Sequence, residues 1–592
     1  MKMKSVRSYL KKKTVGVFET RTSDSDIIID GNYFKSTYKS SGCQFIIGGE
    51  YDRYANYLRK MLKAFTDKNI EVYVIFGGGM NANLEKRKEI HQDIIDRTDS
   101  VQPDQENEYC EPTFTKDVQK EVFEKLGIRY FVCDYDHSEA LISLAIDYDI
   151  PVLTNNFEYC LFGVTCILPN SVLFEVDNGF RCTVYKPNRK LFPFSNDIMS
   201  ILLAISDEDS SYYQHLPRIL KCHEKTIFVS AQHWIRKQNS KSAIVDLTKY
   251  LQPSDKQALL DTIANMQKLF KRSHRLVASS YRNRHAVHTK IIDTSNEGWF
   301  DNAIATGLIA VPYINLRNNK IFSGSWLIVD KNRDDAMLAA LDIVFYAQGL
   351  LINSQDLKIS FIGRKFSSSV VWEIEKSLPS RKALDIFRST GKKRNSVDLF
   401  RVIIGELLKG FDFATLENIS TDCHMIIIAL VYYCLRKKDF QKGVYSILLS
   451  YFFLGPISKE VGVLKKSNFA VTHNADDKDY VSAANAFMDF FYLDESRLKT
   501  IFCRNMLHSI AEFEHCLQHV NFLNKLCGEV TMCTIYHKAI NSTFIYNLYF
   551  TLTQEDCPLE YIKKRINNAS VFSEYGVLIN VFETCLHSVM VA

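Results

Sequence analysis

The residues best suited to chemistry stand at the ends of four short apolar runs. Asp30 closes Ile27-Ile28-Ile29 and is followed by Gly31. Gly77-Gly78-Gly79 follows Val72–Phe76, and Asp134, Asp136 and Glu139 follow residues 130–133. Asn155, Asn156 and Glu158 follow Val152-Leu153. Runs of β-branched residues ending in an acid read as buried strands with the acid at the carboxyl edge, where ligands of open α/β sheets gather. Acids brought together there repel one another unless they hold cations or keep a proton, and oxygen ligands of this kind suit a hard cation. The plainer role is equally open on spacing alone: an acid after a strand caps the next helix, and Ser138 or Glu139 could do only that.

Positioning these residues requires the four runs to lie side by side. Between the first two, Tyr54, Leu58, Met61, Leu62 and Phe65 recur at helical spacing. Val118, Val122, Phe123 and Leu126 precede the third run, and Ile142, Ala145 and Ile146 precede the fourth. This alternation predicts a parallel sheet with right-handed crossovers and amphipathic helices on its faces. Residues 81–111 are polar and charged, which predicts a charged helix followed by a mobile loop.

A basic segment lies further on. Lys268, Lys271, Arg272, Arg275, Arg282, Arg284 and Lys290 occur with His274, His285 and His288, with no acid among them, and Tyr281 sits within the run. Cations with an aromatic among them suit phosphate contact and base stacking; the same segment could dock on an acidic partner. Lys86, Arg87 and Lys88 form a second basic group, flanked by Glu85 and Glu89 as on a solvated helix face. Lys392-Lys393-Arg394 is a short run of the kind that assists nuclear import.

At 592 residues the chain is too long for one core, and about two or three domains are expected. A hydrophobic fraction of 46% supports an ordered globular protein, and a net charge of +5 permits an anionic partner without demanding one. Fifteen cysteines without a Cys-x-x-Cys pair, and no secretory signal, predict reduced thiols in a nuclear or cytoplasmic protein. The longest apolar run, residues 425–433, is far short of a membrane span. Residues 300–390 mix helical stretches with short apolar runs such as Trp326-Leu327-Ile328-Val329, and from 396 onward helical stripes dominate. His515, Cys516 and His519 have a metal-like spacing, but their apolar helix favours core packing.

At these residues the sequence resembles the asteroid family, relatives of the XPG and flap-endonuclease group with a PIN-like domain. Ser8-Tyr9-Leu10, Ile28-Ile29-Asp30-Gly31-Asn32, Gly48-Gly49-Glu50-Tyr51-Asp52, Ser138-Glu139-Ala140 and Pro151-Val152-Leu153 carry the resemblance. The Gly-Gly-Glu-Tyr-Asp loop is the most diagnostic. Likeness is strongest over residues 1–165 and thin afterwards, with an echo at Cys516-Leu517-Gln518 and Phe522-Leu523-Asn524. It implies an α/β N-terminal PIN-like (FEN/XPG-like) domain with a parallel sheet over 1–215, a mixed, mostly helical region over 216–395, and a mainly α-helical C-terminal region over 396–592.

In the wider nuclease group, clustered carboxylates hold two Mg²⁺ that activate water and stabilise the leaving oxygen. Carried over residue by residue, Asp30 and Glu139 match retained acids and would be catalytic. Glu158 stands where Asp is usual, and Asp209 matches the last acid, so Asp30, Glu139, Glu158 and Asp209 form the implied Mg²⁺ set. Gly77, Leu141 and Asn156 replace three further acids, and Lys2 stands where the family carries a glycine. Lys86 and Arg87 fall where relatives contact the scissile phosphate; Lys271, Arg272, Arg275, Arg282 and Arg284, read from the charge pattern of the basic segment, complete the expected nucleic-acid set. The expectation is a depleted metal site and a weak or inactive nuclease acting through nucleic-acid or protein binding. Two alternatives stay open: an active Mg²⁺-dependent endonuclease for single-stranded or flap DNA in repair, and a pure protein-interaction scaffold. A nuclear location is favoured over a cytoplasmic one.

Overall fold

The computed structural model describes the chain except for residues 1–2, 14–16, 23–25, 81, 104–107, 175–178, 187–190, 224–226, 272–273, 283–297, 325, 378–398, 458–476, 494 and 530. It divides into two compact units. The first comprises Met1–Phe34, Leu62–Gly77 and Ile128–Val287, and the second Lys35–Met61, Gly78–Gly127 and His288–Ala592. These units interleave along the chain.

The first unit is built on a seven-stranded sheet. Its strands are β1 (Val17–Thr22), β2 (Ile27–Asp30), β3 (Val72–Phe76), β4 (Arg129–Val132), β5 (Val152–Leu153), β6 (Cys166–Ile167) and β7 (Gly179–Tyr185), in the order β1-β7-β6-β5-β2-β3-β4. The pairs from β6 to β4 are parallel, with Asp30 opposite Ile75, and β7 runs antiparallel to both β6 and β1. All four expected strands are present, and the core is mainly parallel as predicted. Ile27, Ile28 and Ile29 are buried, as a parallel strand covered on both faces requires.

The helix Lys4–Lys13 belongs to the same unit. Met3, Val6 and Leu10 are buried at helical spacing, and Glu208 accepts a 2.8 Å bond from the Ser5 N–H, setting an anion at the helix N-terminus. The helices Pro253–Lys271 and Arg275–Arg282 pack on Ser138–Asp147, the helix that begins at the carboxyl edge of the sheet.

In the second unit, β8 (Ile321–Ser323), β9 (Asp356–Lys365) and β10 (Ser368–Ser377) form a small sheet in the order β10-β9-β8. β9 and β10 make an antiparallel hairpin packed on the charged helix Leu84–Ser100, where the Gln92 side chain accepts from Ser369 N–H at 2.7 Å. From residue 399 onward the described elements are all helical. His424–Cys434, fully apolar after its first residue, is buried along almost its whole length. His515 and His519 sit in this core: burial lowers their pKa values to about 4 and about 3, and the Tyr313 hydroxyl lies 3.2 Å from His519 Nδ1. Both side chains are buried in this helical core.

The Gly-Gly-Glu-Tyr-Asp loop docks within the second unit on the start of the helix Ser542–Thr553. Gly49 carbonyl accepts the Ser542 N–H at 2.8 Å, and Asp52 Oδ1 accepts from Asn541 Nδ2 at 2.7 Å. Gly48 has φ +106, and a Cβ there would lie 2.3 Å from Ser542 Cβ, so both the backbone angle and the contact require glycine. Beside it, Glu514 is held by Thr113 and by Ser542 Oγ at 2.6 Å. Burial pushes the Glu514 carboxyl up to about 7 and also raises Asp52.

Candidate functional site

Asp30 is 1% exposed at the end of β2, and its surroundings come from three strand ends. His137, in the turn after β4, brings Nε2 within 2.7 Å of Oδ1, which also accepts the Asn32 N–H at 2.9 Å. Beyond β5, the Thr154 hydroxyl donates to Oδ2 at 2.7 Å and Asn156 Nδ2 donates at 3.3 Å. An ionised carboxylate offers about four lone-pair positions, and four donors face this one. Burial is the largest influence on this group and pushes its pKa up. The bonds from His137, Thr154 and Asn32, with the His137 charge, outweigh burial and hold the carboxyl below the ordinary range.

Glu158 belongs to the next shell of the same edge. Its side chain is 5% exposed and is gripped by Arg7 of the N-terminal helix: Nε lies 3.0 and 2.9 Å from the two carboxylate oxygens, and Nη2 lies 2.7 Å from Oε1. Arg7 Nη2 also donates to Asn156 Oδ1, so Glu158, Arg7, Asn156, Asp30 and His137 form one hydrogen-bonded chain. A guanidinium fork matches a carboxylate in just this planar, two-pronged way.

The structure thus brings Asp30 together with Asn156 and, through Arg7, with Glu158. Glu139 lies half-buried on the first turn of Ser138–Asp147, and Asp209 is exposed, its N–H donating to Asp207 Oδ1 at 3.4 Å. Among the described residues, no three His, Cys, Asp or Glu side chains are grouped closely enough to hold a metal ion. The three substituted positions are each filled. A Cβ at Gly77 would meet His137 Nδ1 at 3.2 Å, Leu141 is fully buried, and Asn156 bridges Asp30 to Arg7. Asp136 accepts from the Ser138 N–H and hydroxyl at 3.1 and 2.9 Å, the local turn role that spacing had left open for this region.

Two features correct the expected nucleic-acid set. Arg87 is 3% exposed and donates to Met80 carbonyl and Asn315 Oδ1 inside the second unit, so it is an interior residue. Tyr281 is not a stacking platform: it is 6% exposed, packs edge-on against Tyr73 and Tyr148, and donates its hydroxyl to Asp26. Asn315 for Arg87, and Asp26, Tyr73 and Tyr148 for Tyr281, are partners far away in sequence. Lys86, Lys268, Lys271, Arg275 and Arg282 are exposed, and the last bonds the Tyr148 hydroxyl through Nε. Arg272, Arg284, Lys290, Lys2 and Lys392-Lys393-Arg394 lie outside the described residues.

Sequence reasoning missed Arg7 and His137. Arg7 was visible only as one of several cations on an amphipathic N-terminal helix, and His137 only as a histidine between two acids and a helix start.

A mainly parallel sheet with an acid at its carboxyl edge defines an open α/β protein with its ligand-facing side at the strand ends. Residues 422–592 match the model of the Asteroid N-terminal domain, so a likeness to the asteroid family is found over the C-terminal helices. Two proteins named single-strand DNA endonuclease ASTE1, from Homo sapiens and Pongo abelii, are each 25% identical over 150 residues. That stretch is 25% of this chain and 22% of each relative. Two solved structures of the catalytic core of Rad2 in complex with DNA substrate are also similar. One has TM-score 0.26 and 14% identity over 45% of this chain and 81% of that one; the other has TM-score 0.24 and 12% identity over 44% and 96%. No helix among the described residues is long and apolar enough to cross a membrane.

Proposed function

We propose that this asteroid-like chain carries a PIN/flap-endonuclease-type domain whose Mg²⁺ site is depleted. It acts by binding single-stranded or flap DNA, with cleavage weak or absent, and works in the nucleus with protein partners. One observation carries the reading: all four acceptor positions of Asp30 face donors from the chain itself. Two Mg²⁺ would each need close to six oxygen ligands at short range. Gly77 and Leu141 supply no side-chain oxygen, and Arg7 engages Glu158. DNA would lie along the exposed Lys268, Lys271, Arg275 and Arg282, on helices packed beside the one that begins at the Asp30 edge.

The second reading, an active endonuclease using Asp30, Glu139, Glu158 and Asp209, draws support from the name of the two ASTE1 relatives. It requires Arg7 to release Glu158. Labelled single-stranded and flap DNA, incubated with the full chain in Mg²⁺ and then Mn²⁺, separates the two. The first reading expects salt-dependent binding with DNA left intact or cut only slowly; efficient divalent-dependent cleavage that disappears in Asp30→Ala would overturn it.

A further inference from the structure

The residues at the carboxyl edge do not fit a pair of divalent cations, because the oxygens of Asp30 and Glu158 already face donors from the chain. Asp30 and Glu158 are 1% and 4% exposed. Buried carboxylates need compensation, by a metal ion or by charge and hydrogen bonds from the protein. Here the compensation is continuous. Arg7 forks onto Glu158 and reaches Asn156; Asn156 turns its amide to Asp30; His137 closes the far side and also lies 3.6 Å from Asp136 Oδ1.

We propose that Arg7 and His137 are the resident counter-groups of this edge: they occupy, from within the chain, the places that divalent cations would otherwise take. Arg7 thereby pins the helix Lys4–Lys13 onto the segment after β5. The inference rests on the reading of the site as depleted, and it goes further in naming what replaced the metal. Two of the substitutions and the placement of Arg7 fit together in this light. Gly77 leaves the space in which the His137 ring sits, since a Cβ there would already press on Nδ1 at 3.2 Å. Asn156 offers one oxygen to Arg7 and one N–H to Asp30, which an Asp could not do. Arg7 stands on a helix fixed independently by the buried Met3, Val6 and Leu10 and by Glu208, so its guanidinium is delivered ready-oriented.

Tb³⁺ luminescence tests this directly, because Tyr159, whose hydroxyl lies 3.2 Å from Ser138 Oγ, is close enough to the edge to sensitise a bound lanthanide. The full chain is expected to show no saturable signal dependent on Asp30, and its melting temperature should be indifferent to Mg²⁺ and Mn²⁺. The double substitution Arg7→Met with Asn156→Asp removes the guanidinium and restores a carboxylate. It should gain a Tb³⁺ signal and a Mn²⁺-dependent rise in melting temperature, both lost on adding Asp30→Asn. Arg7→Lys, which keeps a charge and so the fold, should stay silent to Tb³⁺. Saturable Tb³⁺ binding by the wild type or by Arg7→Lys, abolished by Asp30→Asn, would overturn the inference. So would a folded double variant that remains silent. Neither result depends on DNA cleavage, so the inference and the functional reading fail separately.

Discussion

Asp30→Asn discriminates sharply between a structural network and a metal site, because the two predict opposite signs. In a cluster of carboxylates awaiting metal, neutralising one acid relieves repulsion and leaves the metal-free protein as stable or more so. Here four donors face Asp30: His137 Nε2 at 2.7 Å, Thr154 Oγ1 at 2.7 Å, Asn32 N–H at 2.9 Å and Asn156 Nδ2 at 3.3 Å. An asparagine keeps one acceptor oxygen and turns an NH₂ toward the remaining donors. Thr154 can rotate to accept from it, and His137 Nε2 can accept in the other tautomer; the Asn32 N–H and Asn156 Nδ2 cannot. Losing the charge of a buried, hydrogen-bonded pair costs about 3–5 kcal/mol, and at 1% exposure solvent recovers little of it. For a folding unit of this size that is a fall of about 6–20 °C in melting temperature, at roughly 2–4 °C per kcal/mol.

The assay is urea denaturation at neutral pH in EDTA, followed across acid pH. The folded carboxyl is held below its ordinary value of 3.8, so its stabilisation is present above that pH and disappears as pH falls through the depressed value. The gap between wild type and variant should therefore be full at pH 7 and close below about pH 4. A variant as stable as wild type in EDTA, or more stable, would refute the reasoning.

Gly48→Ala should cost about 2–6 kcal/mol, adding backbone strain at φ +106 to displacement of Ser542, and chemical denaturation will read it. Glu514, with its carboxyl raised to about 7, contributes stability that is complete below its unfolded pKa near 4.5 and is lost as pH rises toward 7. Wild type should weaken across that interval by up to about 3 kcal/mol while Glu514→Gln stays flat, measured by melting temperature against pH. Lys271→Glu with Arg275→Glu should weaken oligonucleotide binding and reduce the slope of log affinity against log salt by about 1–2, at roughly 0.7 per phosphate of single strand. An unchanged slope would place the DNA elsewhere.

How far the sequence could be read depended on the range of the interactions. β2, β3, β4 and β5 and the helices between them were legible because each announces itself in local periodicity, with Asp30 at a strand end. β1 and β7 were not: β1 carries the polar Glu19, Thr20 and Arg21, and β7 sets Arg181 and Thr183 among its apolar residues, so neither reads as a buried run. The β9–β10 hairpin was missed for the same reason: β10 mixes Glu373, Glu375 and Lys376 with Val371 and Ile374. The diagnostic loop at Gly48-Gly49 gave no hint of Asn541 and Ser542, nearly the whole chain away. At the candidate site the strand-end pattern pointed to Asp30 and Glu158, which hydrogen bonds through Asn156 and Arg7 link in the structure. Arg7 and His137 lie more than a hundred residues from the acids they meet, beyond any local signal.

The central claim is that the carboxylates at this edge are satisfied by the chain's own side chains. A crystal of the full chain soaked in Mn²⁺, with anomalous data collected at the manganese edge, tests it most directly. The account predicts Arg7 forked on Glu158, His137 on Asp30, and no manganese between them. A manganese peak bridging Asp30 and Glu158, with Arg7 swung out to solvent, would contradict it.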